Sequence, residues 1–237
     1  MQAAESAIVI GVGPGLGLAV VRACVRAGMN VTAASRHVER VASLTRYLGD
    51  AVRAGACDAT DEQDVQNLFA ASTRAFGPPD LVVFNVGAFV PKGLLETDVD
   101  EFERCWRIGC LGGFLVGRES VHAMLEAEGG GGTIIFTGAT ASLRGSARFH
   151  NLAVGKFGLR ALAQSMAREF GPQGIHVAHV IIDGQIRSDR EGYREDQRGQ
   201  DAVLHPEAIA ANYLALHRQP RNAWTHELDL RPWVEKF

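Results

Sequence analysis

The chain has 237 residues, of which 46% are hydrophobic and 22% charged, as in ordinary soluble globular proteins. Its formal net charge of −3 gives no indication of a nucleic acid or an anionic membrane as a partner. Apolar runs stay well short of the roughly 20 residues that span a bilayer, and the N-terminus lacks the pattern of a secretion signal. We therefore expect a soluble, cytoplasmic protein in which residues 1–237 form a single domain.

Short apolar runs alternate along the chain with longer stretches of helical period. In chain order the predicted elements are a strand at Ala7–Ile10, a helix at 15–28, a strand at 30–35, a helix at 36–49, a strand at 51–58, a helix at 61–77, a strand at 80–87, a helix at Glu101–Glu128, a strand at 133–138, a helix at 151–171, a strand at 175–183, a helix at 206–218 and a candidate strand at 225–230.

Strands that alternate with helices indicate βαβ units. We therefore expect an α/β fold, with a doubly wound sheet of about seven mostly parallel strands and helices on both faces. The glycine run Gly129–Gly132 predicts a tight turn. The polar stretch 187–201 is the one long irregular segment, and in a compact domain such a loop is usually functional or mobile.

The cysteines give no sign of a metal site. Their spacing contains no CxxC pair, and each lies in an apolar or helical context. They are Cys24, Cys57, Cys105 and Cys110. We expect reduced, buried thiols.

A glycine-rich loop joins the first predicted strand to the first helix. It contains Gly11, Gly13, Gly15 and Gly17. Small residues at this point allow a tight turn and let the backbone approach a pyrophosphate, which then meets the N–H groups of the helix N-terminus. A strand precedes the loop and a helix follows it, which favours a dinucleotide site over a purely structural turn.

The spacing GxxxGxG of Gly11, Gly15 and Gly17 resembles that of the short-chain dehydrogenase/reductase family. The stretches "CDAT", "NVG", a lysine-bearing helix and a "DG" turn match in order, so the resemblance covers nearly the whole chain. It implies a single Rossmann-type domain that binds a nicotinamide cofactor along Gly11, Gly15, Leu16 and Gly17. It also implies a homodimer or homotetramer, and a substrate lid at 187–201.

The end of the second strand bears on the choice of cofactor. An acidic residue here would bind the ribose 2′-hydroxyl of NAD, but the chain has Ser35 followed by Arg36. A hydroxyl and a guanidinium suit a phosphate, so we predict NADP(H) over NAD(H). The alternative is that Arg36 is only a solvated residue at the start of a helix.

Four further positions match cofactor contacts of the family. By resemblance, Asp58 contacts the adenine, although it is also placed to cap the following helix. Asn85 and Gly87 match the turn beside the adenosine ribose, and the backbone near Ile186 matches the segment that binds the carboxamide. We therefore expect these four residues to line the cofactor site.

The resemblance also implies a set of catalytic groups, of which one is present. Lys156 matches the lysine that lowers the pKa of a tyrosine and holds the nicotinamide ribose. The tyrosine position is filled by Leu152, the serine position by Ala139 and the asparagine position by Gly109. Three of the four family groups are therefore missing, and Lys156 is left to hold the ribose.

Other polar groups near these positions are candidates for proton transfer. They are Thr137, Thr140, Ser142, His150 and Tyr193. Asp183 stands where the family usually has proline, and it either pairs with Lys156 or faces solvent.

Three hypotheses follow from the sequence. The first is a divergent NADP(H)-dependent oxidoreductase acting on a carbonyl or an alcohol. The second is a catalytically inactive NADP(H)-binding regulator or oligomer partner, and the third is a structural protein without nucleotide. The glycine loop together with Arg36 argues against the third.

Overall fold

The computed structural model of the chain describes residues 4–189, 191 and 193–235. Its strands are β1 (Ser6–Ile10), β2 (Asn30–Ser35), β3 (Val52–Ala56), β4 (Leu81–Phe84), β5 (Gly132–Thr137), β6 (Ile175–Ile182) and β7 (Glu227–Leu230). Its helices are α1 (Leu16–Arg26), α2 (Val38–Thr45), α3 (Glu62–Phe76), α4 (Val99–Trp106), α5 (Gly112–Glu126), α6 (His150–Phe170), α7 (Glu195–Arg198) and α8 (Pro206–His217). Within these ranges, no helix combines the length and apolar character needed to cross a bilayer.

In the described residues, the strands form one seven-stranded sheet in the order β3-β2-β1-β4-β5-β6-β7, and every neighbouring pair is parallel. The predicted doubly wound α/β fold and the seventh strand are both confirmed. The strand order reverses between β1 and β4. A doubly wound sheet opens a crevice at such a point, outside the carboxyl ends of its strands, and ligands bind there.

Helices cover both faces of the sheet. Strands β1, β4 and β6 are buried along their whole length, which explains their continuous apolar sequences. One apolar layer packs the sheet against α1 and α8, and the other packs it against α3, α5 and α6. The core therefore lies on both sides of the sheet and holds the carboxyl ends of its strands in fixed register.

The long helix predicted at Glu101–Glu128 has different bounds and is not regular. It begins at Val99 and contains a π turn at Arg107–Leu111 between α4 and α5. Gly109 lies in this turn, and a Cβ built on it would be 3.5 Å from the Cα of Gly155 on α6. Small residues let two backbones approach closely here, and hydrophobic periodicity carries no signal for that.

Two smaller predictions also need correction. The predicted helix 36–49 is only α2, followed by a 3-10 segment at Arg46–Ala51 in which Gly49 has a φ of 67°. Three cysteines are buried as expected, whereas Cys110 is only half-buried. The half-buried thiol lies in the π turn, which was itself not predicted.

Candidate functional site

The loop after β1 contains four glycines, two of which avoid clashes with nearby backbone while the other two face open space. A Cβ on Gly11 would lie 2.2 Å from the carbonyl oxygen of Asn85, and one on Gly17 would lie 2.6 Å from the oxygen of Gly11. Gly11 also has a φ of 93°, a conformation that favours glycine. Around Gly13 and Gly15, by contrast, the described residues leave at least 4 Å of open space. Gly11 and Gly17 therefore allow the tight turn, and Gly13 and Gly15 leave room above the N-terminus of α1.

A cleft of about 560 Å³ opens beside this loop at the carboxyl edge of the sheet. This volume is in the range of small-molecule and cofactor sites. Residues from four βα connections line it, among them Gly11, Ser35, Arg36, Asp58, Asn85 and Gly87. Asn85 holds the floor together because its side-chain amide donates to the oxygen of Gly11 at 3.1 Å. These six residues, each predicted from sequence, therefore share one cleft.

The outer end of the cleft is basic. The hydroxyl of Ser35 accepts from the backbone N–H of His37 at 3.2 Å, which fixes it at the start of α2. Arg36, His37 and Arg40 all line the cleft, while the end of β2 carries no carboxylate. His37 and Arg40 were not predicted, although both lie within four residues of Arg36 at the start of α2. This end of the cleft is therefore suited to an anionic group.

Asp58 lines the same cleft and feels the charge of Arg36. Its carboxylate accepts from the backbone N–H and the hydroxyl of Thr60, at 2.9 and 2.8 Å. Partial burial acts against ionisation, but the Thr60 hydrogen bonds and the guanidinium groups of Arg36 and Arg107 hold its pKa below the usual value. Asp61, rather than Asp58, caps α3 by accepting from Asp64 N–H at 2.9 Å. Asp58 therefore lines the cleft as an ionised acceptor.

Lys156 lies on α6 with only 5% of its surface exposed. Its ammonium donates to the carbonyl oxygen of Thr137 at 2.7 Å and to that of Val86 at 3.2 Å, at the ends of β5 and β4. A Cβ on Gly87 would lie 3.5 Å from Nζ, so the glycine keeps the cleft open beside the amine. Burial lowers the pKa of Lys156 to about 8.

The turn after β6 begins with Asp183, which is 5% exposed. Its carboxylate accepts from the hydroxyl of Thr140 at 2.6 Å and contacts the guanidinium of Arg231 at 3.1 Å. Both sequence-based alternatives for Asp183 are therefore wrong, since it neither pairs with Lys156 nor faces solvent. Its partner Arg231 lies just after β7, too far along the chain for sequence patterns to connect the two.

Ile186 follows this turn in extended backbone. It forms an isolated parallel bridge with Leu204, in which Leu204 N–H donates to the oxygen of Gln185 at 2.8 Å and Arg187 N–H donates to the oxygen of Leu204 at 2.9 Å. In extended backbone the N–H and C=O of a residue point opposite to those of its neighbours. The backbone groups of Ile186 are therefore turned away from Leu204.

The model of the short chain dehydrogenase family matches residues 5–198 of the chain. The chain belongs to the short-chain dehydrogenase/reductase family. A short-chain dehydrogenase from Rhodopseudomonas palustris has a similar structure, with a TM-score of 0.83 and 38% identity over 98% of this chain and 100% of its own. This membership and the Rossmann-type fold together imply binding of a nicotinamide dinucleotide.

Curated relatives are more distant. A 2,5-dichloro-2,5-cyclohexadiene-1,4-diol dehydrogenase of Sphingobium indicum is 30% identical over 78% of this chain and 73% of its own length. A glycine betaine reductase of Emericella nidulans is 29% identical over 95% of this chain, but the match spans only 18% of that protein. The relatives of this chain are therefore oxidoreductases that act on different substrates.

The donor set fits a nicotinamide dinucleotide of this family. The open space at Gly13 and Gly15 accommodates a group that a Cβ would displace, and the N-terminus of α1, which no side chain of the described residues caps, favours a pyrophosphate. Lys156 does not line the cleft itself but supplies a cation next to Val86 and Gly87, which do, while Ile186 lies outside the residues that line it. The short-chain dehydrogenase frame is therefore present from the glycine loop to the lysine.

The three other catalytic positions of the family carry no polar side chain. Ala139 stands just after β5, and its N–H donates to the hydroxyl of Ser142 at 3.1 Å. Leu152 is half-buried one helical turn before Lys156 on α6. Gly109 packs against the backbone of Gly155, as described above.

The polar neighbours already have partners. Thr137 pairs its hydroxyl with that of Tyr213 on α8 at 2.8 Å, and the pKa of Tyr213 is raised by burial, which makes it a poor acid. His150 pairs with the hydroxyl of Thr97 at 2.9 Å and stacks on Phe102. Both candidate proton donors therefore already have hydrogen-bond partners within the fold.

In the lid segment 187–201, Tyr193 is partly exposed, whereas Arg190 and Gly192 lie outside the described residues.

A partly buried polar network near Lys156 was not predicted from the sequence. His179 on β6 contacts Glu227 on β7 at 3.2 Å, and Arg160 on α6 makes two hydrogen bonds to Glu227, at 2.6 and 2.7 Å. Burial lowers the pKa of His179 to about 4, so its ring is neutral at physiological pH. The His179 ring fills the space beside Gly138, where a Cβ would lie 2.4 Å from Nε2. The network therefore fixes the segment that leads to Ala139.

Proposed function

We propose that the chain is an NADP(H)-binding oxidoreductase that acts on a carbonyl or an alcohol through an atypical active site. One observation carries the proposal: a glycine-cradled cleft with a basic outer end leads to a buried lysine at its inner end. The diol dehydrogenase named above is a relative whose substrate is an alcohol. The proposed cofactor contacts are Gly11, Gly15, Leu16, Gly17, Ser35, Arg36, Asp58, Asn85, Gly87, Lys156 and Ile186.

The preference for NADP(H) rests on charge at the outer end of the cleft. Arg36 and Arg40 together offer two guanidinium groups to a phosphate, and His37 adds a third basic side chain. A 2′-phosphate gains charge-assisted hydrogen bonds from arginine that a ribose hydroxyl cannot match. Ser35 stands where a carboxylate would repel that phosphate.

Hydride transfer requires the cofactor and substrate to be held in contact, and Lys156 is the group we propose for positioning the nicotinamide ribose. Proton transfer by a positioned side chain typically supplies a factor of about 10²–10⁴ in rate. Without the polar groups that the family has at positions 109, 139 and 152, this factor must come from water, from the substrate or from Lys156 itself. We therefore expect slow turnover with simple ketones.

The second candidate function is a catalytically inactive NADP(H)-binding regulator or oligomer partner. The specific observation in its favour is that Leu152, Ala139 and Gly109 are all apolar while the cofactor cleft is complete. Both candidates require cofactor binding, so a binding measurement alone does not separate them.

Fluorescence titration with NADPH and NADH tests the cofactor assignment. We expect NADPH to bind more tightly, and Arg36→Ala to weaken NADPH binding by about tenfold or more while leaving NADH almost unchanged. Arg53→Ala, on β3 and outside the residues that line the cleft, is the control. No binding of either cofactor at high micromolar concentration would contradict the proposal.

A panel of ketones, aldehydes and alcohols, followed by NADPH absorbance, separates the enzyme from the inactive binder. Turnover that is lost in Lys156→Ala would support the enzyme. Tight NADPH binding with no turnover of any panel member would favour the regulator.

We also propose a cytoplasmic homodimer or homotetramer. Several large apolar side chains are partly exposed on α4, α5 and α6, and a second copy of the chain would cover them. They are Phe102, Trp106, Phe114, Val154 and Phe157. Sedimentation velocity of the purified protein tests this part of the proposal.

A further inference from the structure

Asp183 places a buried carboxylate at the turn that follows β6. The side chain is held from two sides, by the Thr140 hydroxyl at 2.6 Å and by the Arg231 guanidinium at 3.1 Å. A threonine hydroxyl can only donate to an ionised carboxylate, and an arginine carries a positive charge, so both contacts place hydrogen-bond donors against the Asp183 oxygens. The charge at this turn is therefore fixed in position.

The guanidinium of Arg231 does not neutralise this turn. It contacts Asp229 as well as Asp183, so two carboxylates share one cation. These three side chains together contribute one net negative charge. The ammonium of Lys156 does not pair with Asp183, because it is turned to the carbonyl oxygens of Thr137 and Val86.

The position of the turn relates this charge to the cofactor. Asp183 directly follows β6 at the carboxyl edge of the sheet, which is the edge that binds ligands in this fold. Ile186, whose backbone we assign to the carboxamide, lies three residues further on. Gly184 packs against Pro232, where a Cβ would lie 2.8 Å from Cδ, so the turn is held against the segment that carries Arg231.

The oxidised nicotinamide ring is a cation and the reduced ring is neutral. A fixed negative charge beside the ring therefore stabilises the oxidised form selectively, by Coulomb attraction that is stronger inside the protein than in water. We propose that Asp183 determines the redox preference of the site, so that the protein binds NADP⁺ more tightly than NADPH.

The inference rests on the proposed cofactor function, and it predicts the direction of hydride transfer that the site favours. A site that favours the oxidised cofactor lowers the tendency of bound NADPH to form and raises that of bound NADP⁺ to persist. Bound NADPH is then the stronger hydride donor, so the direction that such a site favours is the reduction of a carbonyl, which leaves NADP⁺ bound.

Isothermal titration of NADP⁺ and NADPH against three proteins tests the proposal without any substrate. In the unmodified chain, we expect a lower Kd for NADP⁺ than for NADPH. Asp183→Asn keeps the shape of the side chain and removes its charge, and should shift the ratio of the two Kd values by about tenfold in favour of NADPH. Asp229→Asn removes the same charge from the far, more exposed side of Arg231, and should shift that ratio by less than about threefold.

The outcomes distinguish this inference from the proposed function. If neither cofactor binds the unmodified chain, the proposed function fails. If both bind and NADPH binds more tightly, or if Asp183→Asn leaves the ratio unchanged, the role of Asp183 is refuted while the cofactor site stands. Asp183→Asn also breaks a buried ion pair, so thermal melting checks its fold; if it does not fold, the Kd values of the unmodified chain decide.

Discussion

Lys156 is a buried cation whose titration should be visible in the stability of the protein. Burial lowers its pKa from 10.5 to about 8 in the folded chain, while in the unfolded chain it titrates at its ordinary value. Below pH 8 both states carry the proton, and the folded state bears the full penalty for burying the charge. Between pH 8 and 10.5 the folded state has lost the proton that the unfolded state still holds, so stability must rise with pH.

The size of this effect follows from the pKa difference. Each unit corresponds to about 1.4 kcal/mol, so the shift from 10.5 to about 8 amounts to about 3 kcal/mol over that window. Lys156→Met has a similar volume and no titrating group, and is the matched reference. We expect the free energy of unfolding of the original chain to gain about 3 kcal/mol on that of Lys156→Met as pH rises through the window.

Urea unfolding of both proteins at several pH values between about 7 and 10.5 measures this difference. The buried thiols of Cys24 and Cys57, whose pKa values burial raises to about 12, lower stability above their unfolded pKa of 9.0. They are present in both proteins and cancel in the comparison. A difference in unfolding free energy that stays constant across the range would refute the assignment of a depressed pKa to Lys156.

The glycine loop after β1 and the absence of the family's catalytic tyrosine and serine give two further predictions. Gly17→Ala places a Cβ 2.6 Å from the oxygen of Gly11 and should lower stability by about 1–3 kcal/mol in thermal melting, whereas Gly15→Ala, with open space around it, should melt almost unchanged and lose NADPH affinity in fluorescence titration. Leu152→Tyr combined with Ala139→Ser restores two polar groups beside Lys156 and should raise carbonyl reduction by about 10²–10⁴ in an NADPH absorbance assay. The same double variant with phenylalanine at position 152 lacks the hydroxyl, and equal activity in both would contradict the second prediction.

The fold was predictable because its determinants are local and periodic. Continuous apolar runs predict strands buried on both faces, and the alternation with helices leaves a parallel sheet as the natural arrangement. The glycine loop was predictable from its spacing between a strand and a helix, although only Gly17 is required by contacts within this loop, whereas Gly11 is required by the approach of Asn85 after β4. The confirmed elements of the fold were therefore predictable from local sequence patterns, even where their packing joins distant parts of the chain.

The polar contacts beyond the family positions were not predictable in this way. The pairs Asp183–Arg231 and His179–Glu227 each join β6 to the neighbourhood of β7, about 48 residues later in the chain. Which of several acids meets which arginine depends on strand register and on side-chain direction, neither of which is encoded in a local pattern. The π turn around Gly109 depends likewise on how closely α6 approaches, and not on the composition of the helix itself.

The environment of Lys156 gives a separate reason to assign it a function. Among the ion pairs of the described residues, none includes Lys156, and its hydrogen bonds go only to two backbone carbonyl oxygens. A buried charge without a counter-ion costs stability, and a leucine or methionine on α6 would pack there at no such cost. Proteins keep locally unfavourable residues mainly where function requires them. Because Leu152 occupies the position at which this family has the tyrosine that such a lysine serves, this cost supports our proposal that the ammonium group interacts directly with the cofactor.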